Sequence, residues 1–177
     1  DSIMDAGGIT LTDYTGQNEK VMPSTLITGL ADETFDAVFV TLKCHQLETA
    51  IDDLKQLAEH GAQLFFMQNG LDSLDPILSQ LPRDNVKQGI TPFNILSLDN
   101  AHFHRGTEGT FLFHQTALTE QLAKQLGAIG FSTVLHTDMK PVIYGKLLLN
   151  LNNALNAVAN QPIKTQLENH KLRKVYA

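Results

Sequence analysis

The pattern of hydrophobic and polar positions predicts a strand, a helix and a second strand between residues 35 and 67. Phe35–Leu42 is a nearly continuous apolar run, typical of a parallel strand that is covered on both faces. In His45–His60 the apolar residues recur at helical spacing, and Gly61 follows as a C-terminal cap. Ala62–Met67 is the next buried strand. This order predicts a βαβ unit of a doubly wound α/β sheet.

Shorter patterns on either side of this unit predict further strands. Gly8–Thr12 alternates as a half-buried strand does, and Val21–Thr28 is a candidate edge segment because Pro23 keeps it out of a sheet centre. Gly89–Phe93 and Gly109–Phe113 read as strands joined by polar linkers.

The character of the sequence becomes helical from Thr116 onward. Thr119–Leu126 is amphipathic, and Phe131–Leu135 is a short strand after it. We therefore expect a first domain over residues 1–115 and the beginning of a helical domain over residues 116–177. The chain starts without methionine and ends in the helix-like QLENHKLRKVYA, so we expect it to be the middle of a longer protein.

Composition narrows the class of partner. Of 177 residues, 42% are hydrophobic and 18% charged, with a net charge of −6, which argues against general binding to nucleic acid or anionic membranes and favours a small molecule or a protein. The single cysteine, Cys44, can form neither an internal disulfide nor a multi-thiol zinc site. No apolar run approaches the length of a membrane span. These features predict a cytoplasmic protein.

Two polar residues stand just after the two predicted parallel strands. Lys43 follows the first strand and Asn69 follows the second. Because open α/β sheets bind ligands outside the carboxyl ends of their strands, this placement favours a ligand site. The alternative is a solvated lysine and an ordinary Asn-Gly turn.

Three histidines in the middle of the chain raise the question of a metal. His102 and His104 share one face of a strand, and His114 follows later. Because no carboxylate or cysteine joins them, surface histidines are the better interpretation, and no metal is expected.

A polar stripe runs along the apolar helix predicted around residues 145–162. At 100° per residue, Asn150, Asn153 and Asn160 all lie within about 40° of Lys146, whereas the other two asparagines fall away from that line. The rest of the helix is apolar nearly all round and should be buried. A buried ammonium or amide group needs a partner, so the stripe meets either a ligand or a polar network between domains.

The chemistry of the stripe suits the reduction of a 2-oxo acid by hydride. A lysine supplies a cation and a proton to an oxygen that becomes negative, and asparagines hold a carboxylate or hydroxyl group. Hydride must come from a cofactor, and the strand ends at Lys43 and Asn69 are where a dinucleotide would lie.

Taken together, these residues carry a resemblance to a known family. Val40-Thr41-Leu42-Lys43 with Gln46, then Gln68-Asn69-Gly70, then Gly145-Lys146-Leu147 followed by Asn150 and Asn153 is similar to the ketopantoate reductase (2-dehydropantoate 2-reductase) family. The resemblance covers almost the whole chain. It implies a Rossmann-type dinucleotide-binding domain, whose first part with the glycine-rich turn would precede Asp1, followed by an all-helical domain.

The resemblance also implies roles for individual residues. Lys146 corresponds to the catalytic lysine, and Asn150 and Asn153 correspond to the substrate-binding asparagines. Asn69 corresponds to the residue between substrate and cofactor, and Lys43 and Gln46 to residues near the cofactor, normally NADPH.

The implied activity is the NADPH-dependent reduction of ketopantoate in pantothenate and coenzyme A biosynthesis. A reductase of another 2-oxo acid and a non-catalytic dinucleotide-binding protein stay open as alternatives. A homodimer is one assembly that the resemblance allows, and the sequence leaves the oligomeric state open.

Overall fold

The computed structural model describes residues 2–23, 34–69, 75–99 and 101–174. In chain order the elements are α1 (Ser2–Asp5), β1 (Ile9–Asp13), β2 (Asn18–Val21), β3 (Ala37–Val40), α2 (Ile51–Glu59), β4 (Gln63–Phe66), α3 (Asp75–Leu78), β5 (Val86–Ile90), β6 (Ile95–Ser97), β7 (His102–Arg105), β8 (Phe111–His114), α4 (Ala117–Ala128), β9 (Thr133–His136), α5 (Lys140–Ala159), α6 (Ile163–Glu168) and α7 (His170–Arg173).

The strands in the described ranges form two sheets. A five-stranded sheet has the order β3-β4-β5-β8-β9, in which β3, β4 and β5 run parallel and β8 is antiparallel to β5. A four-stranded sheet has the order β2-β1-β7-β6, with a parallel pair of β1 and β7 at its centre. The predicted βαβ unit is confirmed as β3, α2 and β4.

The main core lies where α2 and α3 cover one face of the parallel strands. Leu64 and Phe66 of β4 are buried there, as is Val40 of β3. The opposite face of the sheet carries an aromatic cluster, in which neighbouring rings lie between 5.1 and 6.1 Å apart. Its members are Phe39, Phe65, Phe93, Phe111, Phe113 and Phe131.

The prediction that β3 is covered on both faces is wrong. Phe39 is 41% exposed, whereas all three apolar residues of β4 are buried. The physical reason is position, because β3 is the edge strand of the five-stranded sheet and β4 is internal. The predicted helix His45–His60 is also shorter than expected, because residues 44–46 and 48–50 form two 3-10 turns before α2.

The region predicted as polar linkers instead forms strands β6 and β7 of the four-stranded sheet. The strand predicted over Val21–Thr28 contributes only Val21, at the end of β2, and its residues 24–28 lie outside the described residues. The predicted boundary near Thr116 stays a prediction, and across it β9 pairs with β8.

Helix α5 begins with Pro141 in its first turn and ends at Asn160, which adopts a left-handed conformation with φ of 49°. Asn160 therefore terminates the helix as its C-cap, and its place on the polar stripe stays a prediction. The prediction that α5 is buried all round is also wrong. Leu148 and Leu151 are more than half exposed, because the described part of the chain covers only the beginning of the helix.

Candidate functional site

The carboxyl ends of β3 and β4 lie side by side at one edge of the five-stranded sheet. Val40 is paired with Phe66 at the last position of both strands, so the residues that follow them leave the sheet together. Lys43 and Asn69 are both in these following segments, and both are exposed. The structure thus confirms the predicted placement of the two residues, and we call this region the crevice.

The Lys43 side of the crevice is a tight turn. Lys43 has an extended backbone, and its N–H group donates a hydrogen bond to the Gln46 Oε1 atom at 2.9 Å. The Gln46 N–H group in turn donates to the Lys43 carbonyl at 2.8 Å. Because these two bonds close the turn, the backbones of Lys43 and Gln46 keep a fixed relation to each other.

The amide of Gln68 joins the two sides of the crevice. Its Nε2 atom donates to the Val40 carbonyl at 2.9 Å and to the Leu42 carbonyl at 2.7 Å. Gln68 opens the Gln68-Asn69-Gly70 motif, and the sequence alone indicates no role for its side chain. Its position just after β4 and directly before Asn69 was the one sign in the sequence that Gln68 belongs to this region. The carbonyl partners of its amide could not be predicted from sequence spacing.

The beginning of helix α5 packs against the carboxyl end of β5, at the same edge of the sheet. Ile143, in its first turns, packs with Met139 against Ile90, the last residue of β5. β5 runs parallel to β4, with Gln88 opposite Phe66, so Ile90 lies at the carboxyl end of the strand beside β4. The beginning of α5 therefore lies next to the strand ends that form the crevice.

The predicted stripe begins one turn beyond this contact. Lys146 comes three residues after Ile143, and Asn150 comes seven residues after Ile143. Both Lys146 and Asn150 are half-buried. Asn153 lies on the same helix, but its side chain is outside the described residues. Lys146 and Asn150 are therefore neither fully buried nor fully exposed.

The crevice residues fit an anionic dinucleotide. Lys43 offers an exposed cation at the carboxyl edge of parallel strands, where open α/β sheets hold nucleotides. Asn69 adds an exposed amide that can donate and accept hydrogen bonds. No group of three or more histidine, cysteine or acidic residues that could hold a metal ion occurs in the described ranges.

Two of the three histidines considered for a metal share another partner, the Thr12 hydroxyl group. His102 Nε2 and His104 Nδ1 lie 3.0 and 2.9 Å from the Thr12 hydroxyl, on one face of the four-stranded sheet. The predicted sharing of a strand face is confirmed. A single hydroxyl can donate to one imidazole and accept from the other, so both rings have a structural partner there.

Every helix in the described ranges is too short or too polar to cross a membrane.

Comparison with solved structures identifies the fold. A 2-dehydropantoate 2-reductase from Geobacter metallireducens has a TM-score of 0.83 at 21% identity, covering 97% of this chain and 59% of its own. A dimeric ketopantoate reductase from Staphylococcus aureus has 0.72 at 23%, covering 95% and 57%. A D-mandelate dehydrogenase, in a ternary structure with NADH and anilino(oxo)acetate, has 0.76 at 17%, covering 95% and 56%. These likenesses confirm the predicted Rossmann-type α/β fold.

The chain thus spans less than two thirds of the length of each of these structures. No curated protein sequence matches it. The family model of ketopantoate reductase PanE/ApbA, however, matches residues 3–117, which is more than half of the chain. The chain therefore belongs to the ketopantoate reductase family.

Proposed function

We propose that the protein reduces ketopantoate (2-dehydropantoate) to pantoate with NADPH, a step of pantothenate and coenzyme A biosynthesis. The observation that supports the proposal is the packing of Ile143, one turn before Lys146, on Ile90 at the carboxyl end of β5, the strand that pairs in parallel with β4. In this proposal Lys146 is the cation for the reacting oxygen and Lys43 is the cation for the anionic cofactor.

The proposed roles follow from what each side chain can do. Lys146 donates a proton to the ketone oxygen and stabilises the negative charge that develops there. Asn150 and Asn153 bind the carboxylate and hydroxyl groups of the substrate and fix which face of the carbonyl is presented. Asn69 contacts both substrate and cofactor, and Lys43 and Gln46 bind the cofactor. When bound, NADPH supplies the hydride.

A second candidate is the reduction of another 2-oxo acid. The solved structure of D-mandelate dehydrogenase, bound to NADH and anilino(oxo)acetate, has the same fold. After Pro162, where the family resemblance implies an Asn-Gly-Glu-Leu-like segment, this chain has Ile163-Lys164-Thr165-Gln166-Leu167, which lies in α6. Both observations concern the substrate and leave the proposed role of Lys146 unchanged.

The test is a substrate panel with the purified full-length protein. The loss of NADPH absorbance is followed with ketopantoate, pyruvate, 2-oxoisovalerate and phenylglyoxylate, each also with NADH in place of NADPH. We expect the highest kcat/KM with ketopantoate and NADPH. Preference for another acid would favour the second candidate, and oxidation with none of them would favour a non-catalytic dinucleotide-binding protein.

Assembly and location are proposed on narrower grounds. One similar structure is described as a dimeric ketopantoate reductase, so we propose a homodimer for this protein as well. We also propose that it acts in the cytoplasm, where the single exposed Cys44 would stay reduced. Light scattering of the purified protein measures its mass, and a monomeric mass would contradict the first proposal.

A further inference from the structure

We propose that Gln68 is a positioning residue for the cofactor side of the crevice. Its side-chain amide holds the segment that carries Lys43 and Gln46 against the end of β4. The inference rests on the proposed function, because it assigns Gln68 to the binding of a nicotinamide dinucleotide.

The first argument is where the backbone pairing of β3 and β4 stops. The ladder ends at the pair of Val40 and Phe66, and the Met67 N–H group adds one more bond to the Val40 carbonyl at 3.2 Å. Beyond that point the Gln68 side chain replaces the ladder, since its Nε2 atom reaches both the Val40 and the Leu42 carbonyls. The amide thus continues the attachment of β3 to β4 for two residues past the sheet.

The second argument is that the orientation of this amide is determined by its partners. Both partners are carbonyl oxygens, which can only accept, so the NH2 group must face them. The Oε1 atom is then left buried, without a hydrogen-bond partner among the described residues. Among the described residues, the two bonds from Nε2 are therefore the contacts that hold this amide in place.

The third argument links the amide to the cofactor residues. Leu42 is followed directly by Lys43, whose turn is closed by the two hydrogen bonds with Gln46. Fixing the Leu42 carbonyl therefore fixes where this turn begins and where the backbone of Lys43 lies. Gln68 also directly precedes Asn69, so one side chain sets the spacing between the two sides of the crevice.

The test compares two substitutions at Gln68 with a matched control. Gln68→Glu keeps the length of the side chain and replaces the donor with a carboxylate that faces two carbonyls. Gln68→Met removes the donor without adding charge. Gln80→Glu is the control, because Gln80 is an exposed glutamine whose Nε2 atom also donates to a carbonyl, that of Pro76 at 3.1 Å.

The readouts are the Kd of NADPH, from fluorescence titration, and kcat at saturating NADPH with the preferred 2-oxo acid. We expect Gln68→Glu to raise the Kd about ten-fold or more, since two hydrogen bonds are lost and repulsion is added. Gln68→Met should raise it in the same direction by less. In both variants kcat should stay within about three-fold of the wild type, and Gln80→Glu should change neither quantity.

Two results would overturn the inference. One is a Kd in both Gln68 variants equal to that of the wild type. The other is an equal fall of kcat and of NADPH affinity together with a lower urea midpoint, which is the result of general destabilisation. A wild-type protein that binds no NADPH would instead refute the proposed function, and the role of Gln68 with it. The two failures are therefore distinguishable.

Discussion

Lys146 is the residue on which the proposed chemistry depends most. It is half-buried one turn beyond the contact of Ile143 with β5. If its ammonium group donates the proton to the ketone oxygen, Lys146→Ala should lower kcat by about a hundred-fold to ten-thousand-fold, the usual contribution of a general acid. The Kd of NADPH should change by less than about three-fold, because the proposed cofactor contacts are elsewhere. Steady-state kinetics and fluorescence titration measure the two quantities.

Lys140 provides the control for this substitution. It is an exposed lysine on the same helix, outside the proposed site, so Lys140→Ala should leave kcat unchanged. Turnover by Lys146→Ala at the wild-type rate would contradict the catalytic assignment and would favour a packing role for the polar stripe.

Asp13 is a structural residue that joins β1 to β7. Its carboxylate accepts hydrogen bonds from the Thr15 hydroxyl at 2.6 Å, the Arg105 guanidinium at 2.7 Å and the Gln17 N–H group at 3.1 Å. The Thr15 hydroxyl first, then Arg105 and the backbone donors, hold the pKa of Asp13 well below its usual range, and burial, which acts in the opposite direction, is outweighed. The ionised carboxylate therefore stabilises the folded state.

The pH dependence of unfolding tests this account. A lowered pKa in the folded state means that the stabilisation is present above the unfolded pKa of about 4 and is lost as the pH falls below it. Asp13→Asn should lower the urea midpoint at neutral pH, and the difference from the wild type should shrink as the pH falls below about 4. Glu19→Gln, an exposed change on β2, is the control. A difference that does not vary with pH would contradict the role of the charge.

At the scale of elements, the packing of β5 against its neighbours explains a glycine. A Cβ atom at Gly89 would lie 2.5 Å from Met67 Sδ and 2.9 Å from two ring atoms of Phe113. Met67 can move, but the Phe113 ring is buried in the aromatic cluster. Gly89→Ala should therefore lower the free energy of unfolding by about 1–3 kcal/mol, as overpacking does. Urea unfolding followed by circular dichroism measures it.

Gly127 is the matched control for Gly89. It lies in α4, and a Cβ atom there would meet nothing within 4 Å. Gly127→Ala should raise the free energy of unfolding by about 0.5–1 kcal/mol, the helical preference of alanine over glycine. If both substitutions had the same effect, the packing around Gly89 could not be the cause.

Elements with strong local patterns could be predicted from the sequence, and those that depend on distant partners could not. The unit of β3, α2 and β4 has a clear apolar pattern. Because the pattern predicts where the two strands end, it also predicts that Lys43 and Asn69 lie just after them. Strands β6 and β7 lack such a pattern, because Leu96 is 55% exposed and β7 is only half-buried. The pairing of β7 with β1, about 90 residues earlier, is set by tertiary contacts rather than by local preference.

The same limit applies to the candidate site. A residue just past a strand can be placed from the strand itself, and the stripe on α5 can be placed from helical geometry. The two carbonyls that Gln68 binds belong to residues 26 and 28 positions away, so the bonds become visible only once the strands are paired. The exposed apolar faces of α5 were mispredicted for a related reason. An apolar helix surface favours burial, but its pattern does not show which residues, of this chain or another, cover it.

At the scale of the whole molecule, charge opposes the proposed cofactor. The chain has a net charge of −6, and NADPH is itself strongly anionic, so long-range electrostatics disfavour the complex. Affinity must come from local contacts such as the exposed cation of Lys43. A cofactor held in this way binds the folded state alone, and it should stabilise the whole chain by mass action.

Unfolding in the presence of cofactor tests this consequence. At a free NADPH concentration of about 100 times its Kd, the free energy of unfolding should rise by about 2.7 kcal/mol, which is visible as a higher urea midpoint. NADH at the same concentration should raise the midpoint less if the protein prefers the 2′-phosphate. Equal protection by both cofactors would contradict the NADPH preference and leave the reductase chemistry standing. No protection by either would contradict cofactor binding itself, since a ligand that binds only the folded state must shift the equilibrium.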